Sequence, residues 1–195
     1  MDVRRIVTVP IWESRTAAEG ELVLRINVGR GGGIAFGFGA HPTTTVSLAL
    51  LGGLYRPGGP RPSRILDVGC GSGVLGIACA RLGAAEVLGV DIAPEAVAMS
   101  AENAATNGVA GVCRYQGTAA ADVPGTFDLV VANLPSSVVL RELAPAISAR
   151  AGAGLIILSG FVEQYREVVL AAFAALGRNP RAEAVHAGWC GALLR

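Results

Sequence analysis

A short apolar run that ends in three alternating glycines constrains this chain more than any other feature. Residues 65–73 read Ile-Leu-Asp-Val-Gly-Cys-Gly-Ser-Gly. The glycines allow a sharp turn and leave no Cβ between the end of the strand and a ligand: Gly69, Gly71 and Gly73. Asp91 follows eighteen residues after Gly73, at the end of a second apolar run, where a carboxylate can accept hydrogen bonds from a ribose diol. The pattern predicts a nucleoside-binding unit.

The identity of the nucleoside cofactor depends on Asp67. Residues 71–76 also fit the G-x-G-x-x-G fingerprint of dinucleotide-binding proteins, which is a weak signal alone. A carboxylate at that position would repel the phosphates of a dinucleotide. It suits the cationic amine and the sulfonium of S-adenosyl-L-methionine. We therefore predict that Asp67, the three glycines and Asp91 bind S-adenosyl-L-methionine, against the alternatives of a dinucleotide site or a tight turn that binds nothing.

Length and composition predict one α/β domain. The chain has 195 residues, of which 52% are hydrophobic and 16% charged. We expect residues 1–60 to form an N-terminal extension with a cofactor-covering loop, and residues 61–195 to form the cofactor-binding core. The formal net charge is +1, and the 16 basic residues are all arginines without a long run, so no nucleic-acid partner is indicated. The oligomeric state does not follow from the sequence.

The cysteines and histidines predict neither disulfides nor a metal site. The four cysteines lack C-x-x-C spacing, and one of them lies inside the glycine loop. His41 and His186 are far apart in sequence, so no metal-ligand cluster follows from local spacing. Neither a membrane-spanning stretch nor a secretory signal is recognisable, and we expect a cytoplasmic protein.

Apolar strands alternate with helices along most of the chain. We predict strands at 4–9, 22–28, 64–68, 86–90, 112–116, 127–132 and 155–158, and helices at 42–55, 74–82, 94–107, 137–150 and 162–176. Two further strands at 181–186 and 189–194 are joined so tightly that they must pair antiparallel. A mostly parallel sheet with an antiparallel C-terminal strand pair is the Rossmann-like architecture of the class I methyltransferases.

Five segments, taken together, resemble the bacterial PrmA family over about residues 7–195. They are 36–44 (Phe-Gly-Phe-Gly-Ala-His-Pro-Thr-Thr), 65–73, 89–97 (Gly-Val-Asp-Ile-Ala-Pro-Glu-Ala-Val), 131–134 (Val-Ala-Asn-Leu) and 158–160 (Leu-Ser-Gly). The resemblance implies methylation of amino groups of large ribosomal subunit protein eleven. It also implies further cofactor contacts at Phe36, Gly37, Gly39, Thr43, Ile92, Thr118 and Asn133. Enzymes of this type carry an N-terminal substrate-recognition domain, which we expect this chain to lack.

Methyl transfer to an amine requires chiefly that a neutral nucleophile be held close to an activated methyl group. Asn133 follows the strand at 127–132, and its side-chain oxygen can accept a hydrogen bond from an amine N–H. The alternative is an asparagine that caps the next helix. His41 is either a proton acceptor at the methyl site or an anchor of the preceding loop, and Thr43 either contacts the cofactor or caps a helix.

We therefore expect an S-adenosyl-L-methionine-dependent methyltransferase that methylates an amino group on a protein or peptide. A small-molecule amine methyltransferase and a non-catalytic cofactor-binding protein are the two alternatives.

Overall fold

A computed structural model describes residues 5–27 and 41–195. Its strands and helices are, in chain order, β1 (Arg5–Pro10), β2 (Glu21–Ile26), α1 (Pro42–Tyr55), β3 (Arg64–Val68), α2 (Val74–Leu82), β4 (Glu86–Asp91), α3 (Pro94–Thr106), β5 (Cys113–Gly117), β6 (Leu129–Asn133), α4 (Ser137–Ala151), β7 (Leu155–Val162), α5 (Arg166–Ala174), β8 (Pro180–His186) and β9 (Trp189–Leu194). Every predicted element is present, and most of the differences at their ends are one or two residues.

Seven of the strands form one sheet in the order β5-β4-β3-β6-β7-β9-β8. All pairs are parallel except the two that involve β9, which runs antiparallel to both β7 and β8. The predicted α/β fold with an antiparallel C-terminal pair is therefore confirmed. Ala187 and Gly188 connect β8 to β9 and both have positive φ, 49° and 77°, as a two-residue hairpin turn requires.

The core consists of two apolar layers, one on each face of the sheet. Successive side chains of a strand point to opposite faces, so Ile65 packs with α1 and α2 whereas Leu66 packs with α4 and α5. Burial on both faces explains why the central strands are almost continuously apolar.

The largest difference from the sequence prediction is the start of α5. The sequence pattern predicts a helix from residue 162, but β7 continues to Val162 and α5 begins at Arg166 after a short 3-10 turn. Phe161 and Val162 pair with Cys190 and Trp189 of β9, past a register shift at Gly160. Long-range pairing with β9 therefore overrides the local helical pattern of these residues.

Strands β1 and β2 form a separate parallel pair that is attached to α3 by two asparagines. Asn107 accepts a hydrogen bond from Arg25 N at 2.9 Å and donates to Arg25 O at 2.7 Å. Asn103, one helical turn earlier, does the same with the backbone of Asn27 at 2.7 and 3.1 Å, and donates to Ser72 O as well. Each side-chain amide thus pairs with the N–H and C=O of one residue at the end of β2 or just after it, as the backbone of a neighbouring strand would do.

The loop after β1 exposes a large aromatic side chain, although tryptophans are usually core residues. Trp12 is 62% exposed.

Asn103→Ala tests this attachment. The change removes three hydrogen bonds that join α3 to the backbone of Asn27 and Ser72, so we expect a loss of about 2–4 kcal/mol in unfolding free energy. Urea denaturation measures it. Thr106→Ala, at an exposed position of the same helix, is the control and should change stability by less than about 1 kcal/mol. Equal stability of the two variants would contradict the role of Asn103.

Candidate active site

The candidate site lies at the carboxyl edge of the sheet. Asp91 pairs with Gly117 and Asn133 with Ser159, so the ends of β4, β5, β6 and the middle of β7 are aligned. Ligands of open α/β sheets bind at this edge. The register therefore brings the predicted residues of four segments to one side of the molecule.

The glycine loop turns sharply between β3 and α2. Gly69, Gly71 and Gly73 have φ values of 67°, 55° and 76°, a region that other residues rarely adopt. The amides of Gly69 and Cys70 both donate to Val90 O of β4, at 2.8 and 3.0 Å. A Cβ on Gly69 would lie 2.5 Å from the Leu134 side chain, so this loop is packed directly against the segment that follows β6.

Asp67 is buried behind the glycine loop, with 2% of its surface exposed. Its Oδ2 accepts a hydrogen bond from Gly76 N at 2.9 Å, in the first turn of α2. Burial raises the pKa of Asp67 to about 7, the Gly76 N–H opposes that rise, and the charge of Asp91 adds to it. A cation placed beside this carboxyl would favour its ionised form.

Asp91 joins the glycine loop to the start of α3. Its Oδ2 accepts from Gly71 N and its Oδ1 from Ala93 N, both at 3.0 Å. Each oxygen keeps a further lone pair for a ligand. Ile92 is 84% exposed, which is unusual for a side chain of this size and leaves an apolar surface beside Asp91. Thr118 is half-buried and follows Gly117, the residue that pairs with Asp91.

Asn133 ends β6 with its two amide atoms in different environments. Nδ2 donates to Thr44 Oγ1 at 3.5 Å. Oδ1 is buried and has no hydrogen-bond partner among the described residues. A buried acceptor without a partner is uncommon in proteins and costs free energy. The amide is thus oriented by Thr44 so that its oxygen remains available.

His41 and Thr43 contact each other at the start of α1. His41 Nδ1 caps the helix by accepting from Thr43 N at 3.4 Å, and lies 2.8 Å from Thr43 Oγ1. The His41 ring packs edge to face on Trp189, with centroids 5.0 Å apart. These contacts are those of a helix cap. Proton transfer by His41 and a cofactor contact of Thr43 stay predictions.

Some predicted site residues lie outside the described residues, namely Phe36, Gly37 and Gly39. Within residues 5–27 and 41–195, the structure contains no group of three or more His, Cys, Asp or Glu that could hold a metal ion. No helix in those ranges is both long and apolar enough to cross a membrane. All four cysteines are buried and unpaired.

Sequence reasoning missed the residues that hold the Asn133 segment in place. The Leu134 amide donates to Ser159 O at 3.2 Å, and the hydroxyl of Ser159 hydrogen-bonds to that of Ser47 in α1. Gly160, with φ 99°, lies so close to Leu134 that an added Cβ would be 1.7 Å from its carbonyl oxygen. The Leu-Ser-Gly motif is recognisable in the sequence, but nothing local in it indicates this contact.

The fold and the site define a class I methyltransferase architecture. The model of the family "Ribosomal protein L11 methyltransferase (PrmA)" matches residues 3–195. The chain belongs to this family.

Individual relatives agree with this assignment. The chain is 46% identical over 183 residues to a ribosomal protein L11 methyltransferase of Geobacter sp. (strain M21), and 44% identical over 175 residues to that of Pelotomaculum thermopropionicum. These matches cover 91% and 89% of this chain but 58% and 54% of the relatives. The chain thus spans little more than half the length of these curated relatives.

Solved structures show the same fold. A crystal structure of ribosomal protein L11 methylase from Lactobacillus delbrueckii subsp. bulgaricus superposes with a TM-score of 0.83 at 32% identity, covering 98% of this chain and 95% of that one. Magnesium protoporphyrin IX methyltransferase from Synechocystis, crystallised with bound SAM, has a TM-score of 0.58 at 18% identity and covers 69% of each chain. The second likeness concerns the fold alone.

Gly160→Ala tests the packing that holds the Asn133 segment. The alanine would combine an unfavourable positive φ with a clash against Leu134 O, so we expect a loss of about 2–5 kcal/mol in unfolding free energy. Gly177→Ala is the matched control, because Gly177 has φ 79° but open space around it, and should cost about 1–2 kcal/mol. Urea denaturation of both variants gives the comparison. If Gly160→Ala is no less stable than Gly177→Ala, the clash is absent.

The raised pKa of Asp67 predicts a pH-dependent stability in the absence of ligand. Between about pH 4 and pH 7 the unfolded chain loses the proton that the folded protein keeps, so this residue lowers stability as pH rises, by roughly 4 kcal/mol in total. Asp67→Asn keeps an acceptor for Gly76 N but does not ionise. We expect the variant to gain stability over the parent progressively across this window.

Urea denaturation at several pH values measures this gain. Asp122→Asn, which changes an exposed carboxylate, is the control and should follow the parent closely. A constant difference between Asp67→Asn and the parent from pH 4 to pH 8 would contradict a buried, proton-retaining Asp67.

Proposed function

We propose that this chain uses S-adenosyl-L-methionine to methylate an amino group of ribosomal protein L11. The observation that carries the proposal is the orphaned Oδ1 of Asn133 at the carboxyl edge of the sheet. An acceptor in that position lacks a protein partner and is matched by the N–H of an amine substrate. Membership of the PrmA family supports the choice of substrate.

The residues at the carboxyl edge of the sheet fit the proposed cofactor. Asp67 is a buried carboxyl whose ionised form gains from a nearby cation, and the cofactor carries an ammonium group. The remaining lone pairs of Asp91 suit a ribose diol, and the exposed Ile92 side chain offers an apolar surface to an adenine ring. The positive φ values of the glycine loop allow its backbone to approach a ligand without Cβ atoms in between. When bound, the cofactor supplies a methyl group that its sulfonium has already activated.

Asn133 would then orient the amine of the substrate. Its Oδ1 accepts a hydrogen bond from the amine N–H and thereby directs the nitrogen lone pair, while Thr44 holds the amide in place from the other side. An amide oxygen neither takes up nor releases a proton near neutral pH, so the amine must arrive neutral. Leu134, packed between Gly69 and Gly160, fixes the distance between Asn133 and the glycine loop. Positioning therefore accounts for most of the catalysis that these residues can provide.

Asn133→Ala tests both the activity and this role. The chain is incubated with purified ribosomal protein L11 and the cofactor, and the intact mass of L11 is followed for added methyl groups. We expect methylation by the parent and a turnover about tenfold or more lower for Asn133→Ala, because one orienting hydrogen bond is removed. Calorimetric titration with S-adenosylhomocysteine should give closely similar affinities for the two proteins.

Asn179→Ala is the control, since Asn179 is an exposed asparagine at the opposite edge of the sheet, and it should keep full activity. If cofactor affinity falls as far as turnover, Asn133 holds the cofactor instead. Methylation of free amines but not of L11 would indicate a small-molecule enzyme. Normal cofactor binding without methylation of any amine would indicate a non-catalytic protein.

A further inference from the structure

A cavity of about 1180 Å³ opens at the amino edge of the sheet, opposite the candidate active site. The end of α1, the starts of β3, β6 and β7, and residues of β8 and β9 surround it. Its volume slightly exceeds the usual range of small-ligand sites, which is about 300–1,000 Å³. The cavity shares no residue with the methyl-transfer site proposed above.

Four arginines without side-chain partners line this cavity: Arg56, Arg61, Arg181 and Arg195. Of the fourteen arginines in residues 5–27 and 41–195, eight form a salt bridge with a carboxylate or donate to a main-chain carbonyl. Six make no side-chain hydrogen bond or salt bridge to any described residue, and the other two of these are Arg114 and Arg141. The unpaired guanidinium groups are therefore concentrated at one place in the fold.

The lining of the cavity contains fewer acidic than basic side chains. Asp128 is the one acidic side chain in the lining, and its Oδ2 accepts from the main-chain amides of Ser63 and Arg64 at 3.0 and 2.9 Å. The main-chain oxygen of Arg195 is likewise held, by Asn179 N at 2.9 Å. The lining therefore contains four arginines and a single acidic side chain.

The loop that carries two of the arginines is fixed by buried contacts. The Tyr55 hydroxyl donates to Pro62 O at 2.7 Å and closes the loop at its base. Arg61 N donates to Leu54 O, and Arg61 has a positive φ of 48°, which is uncommon for a residue other than glycine. Gly59 leaves no room for a Cβ, which would lie 2.3 Å from Leu54 O. Arg56 and Arg61 are thus held at the cavity by a loop with a defined conformation.

We propose that this cavity binds a ligand with several phosphate groups, either a free polyphosphate compound or the backbone of a single-stranded nucleic acid. Guanidinium groups bind phosphate through paired, charge-assisted hydrogen bonds, and several arginines around one space suit a ligand with several phosphates. A folded acidic protein is a poorer match, because a stable protein interface needs a wide surface of about 800 Å² on each partner rather than a cavity. The attraction is local, since the net charge of the chain is only +1.

Isothermal titration of the whole chain tests the proposal with three probes: inorganic tripolyphosphate, a mixed-sequence single-stranded RNA oligonucleotide and a polyglutamate peptide. The cavity variant is Arg56→Gln/Arg181→Gln, which spares the strained position 61. The control is Arg114→Gln/Arg141→Gln, which removes two charges from arginines that are equally unpaired but lie elsewhere. Thermal unfolding verifies that both variants are folded.

We expect the cavity variant to bind the phosphate probe about tenfold or more weakly than the parent, and the control to remain within about twofold. For RNA, the slope of log affinity against log salt should become shallower by about 0.7 for each phosphate that the variant no longer neutralises. Binding of tripolyphosphate identifies a free polyphosphate ligand, whereas binding of RNA alone identifies a nucleic-acid backbone. The proposal is overturned by absence of binding to both, by an equally large decrease in the control variant, or by tighter binding of polyglutamate.

Discussion

The position of Leu134 is the constraint on which the candidate site depends. Its side chain occupies the space beside Gly69 and its carbonyl oxygen lies against Gly160, so it is packed between the glycine loop and β7. A Cβ on either glycine would displace it. Because Asn133 is its chain neighbour, the same packing sets where the orphaned Oδ1 lies relative to the glycine loop. Three segments that are far apart in sequence thus form one rigid unit.

The carboxylates at this edge, those of Asp67 and Asp91, accept hydrogen bonds from main-chain amides. Each of them keeps lone pairs that a ligand could use. Asp91 accepts one N–H on each oxygen, and Asp67 accepts one from Gly76. Neither of them forms a salt bridge with a described residue, so their negative potential is not cancelled. Burial without a cation raises the pKa of Asp67 to about 7. A site of this kind is less stable without its ligand, in return for selectivity towards a cationic one.

The sequence was sufficient for a mostly parallel sheet and for most element boundaries, but not for the order of the strands, because buried strands and helix-ending glycines are local signals. The antiparallel pair β8–β9 followed from the two-residue turn at 187–188 alone. The contacts that could not be predicted depend on distant residues: the asparagine attachment of β2 to α3, the extension of β7 through pairing with β9, and the Thr44 contact that orients Asn133. The place of Asn133 after a strand indicates a role in the site, but the sequence carries no sign that its oxygen lacks a partner.

The two edges of the sheet differ in electrostatic character, and the fold allows them to do so independently. Asp67 and Asp91 lie at the carboxyl edge, whereas four unpaired arginines surround the cavity at the amino edge. The arginines are at positions 56, 61, 181 and 195, without any local cluster, so a scan for basic runs finds nothing. They converge because α1 ends, and β8 begins and β9 ends, at the same edge. The net charge of a chain therefore does not show which charged ligands it can bind, since folding brings together charges that are dispersed in sequence. Residues at the amino edge can therefore change without altering the strand ends at the carboxyl edge.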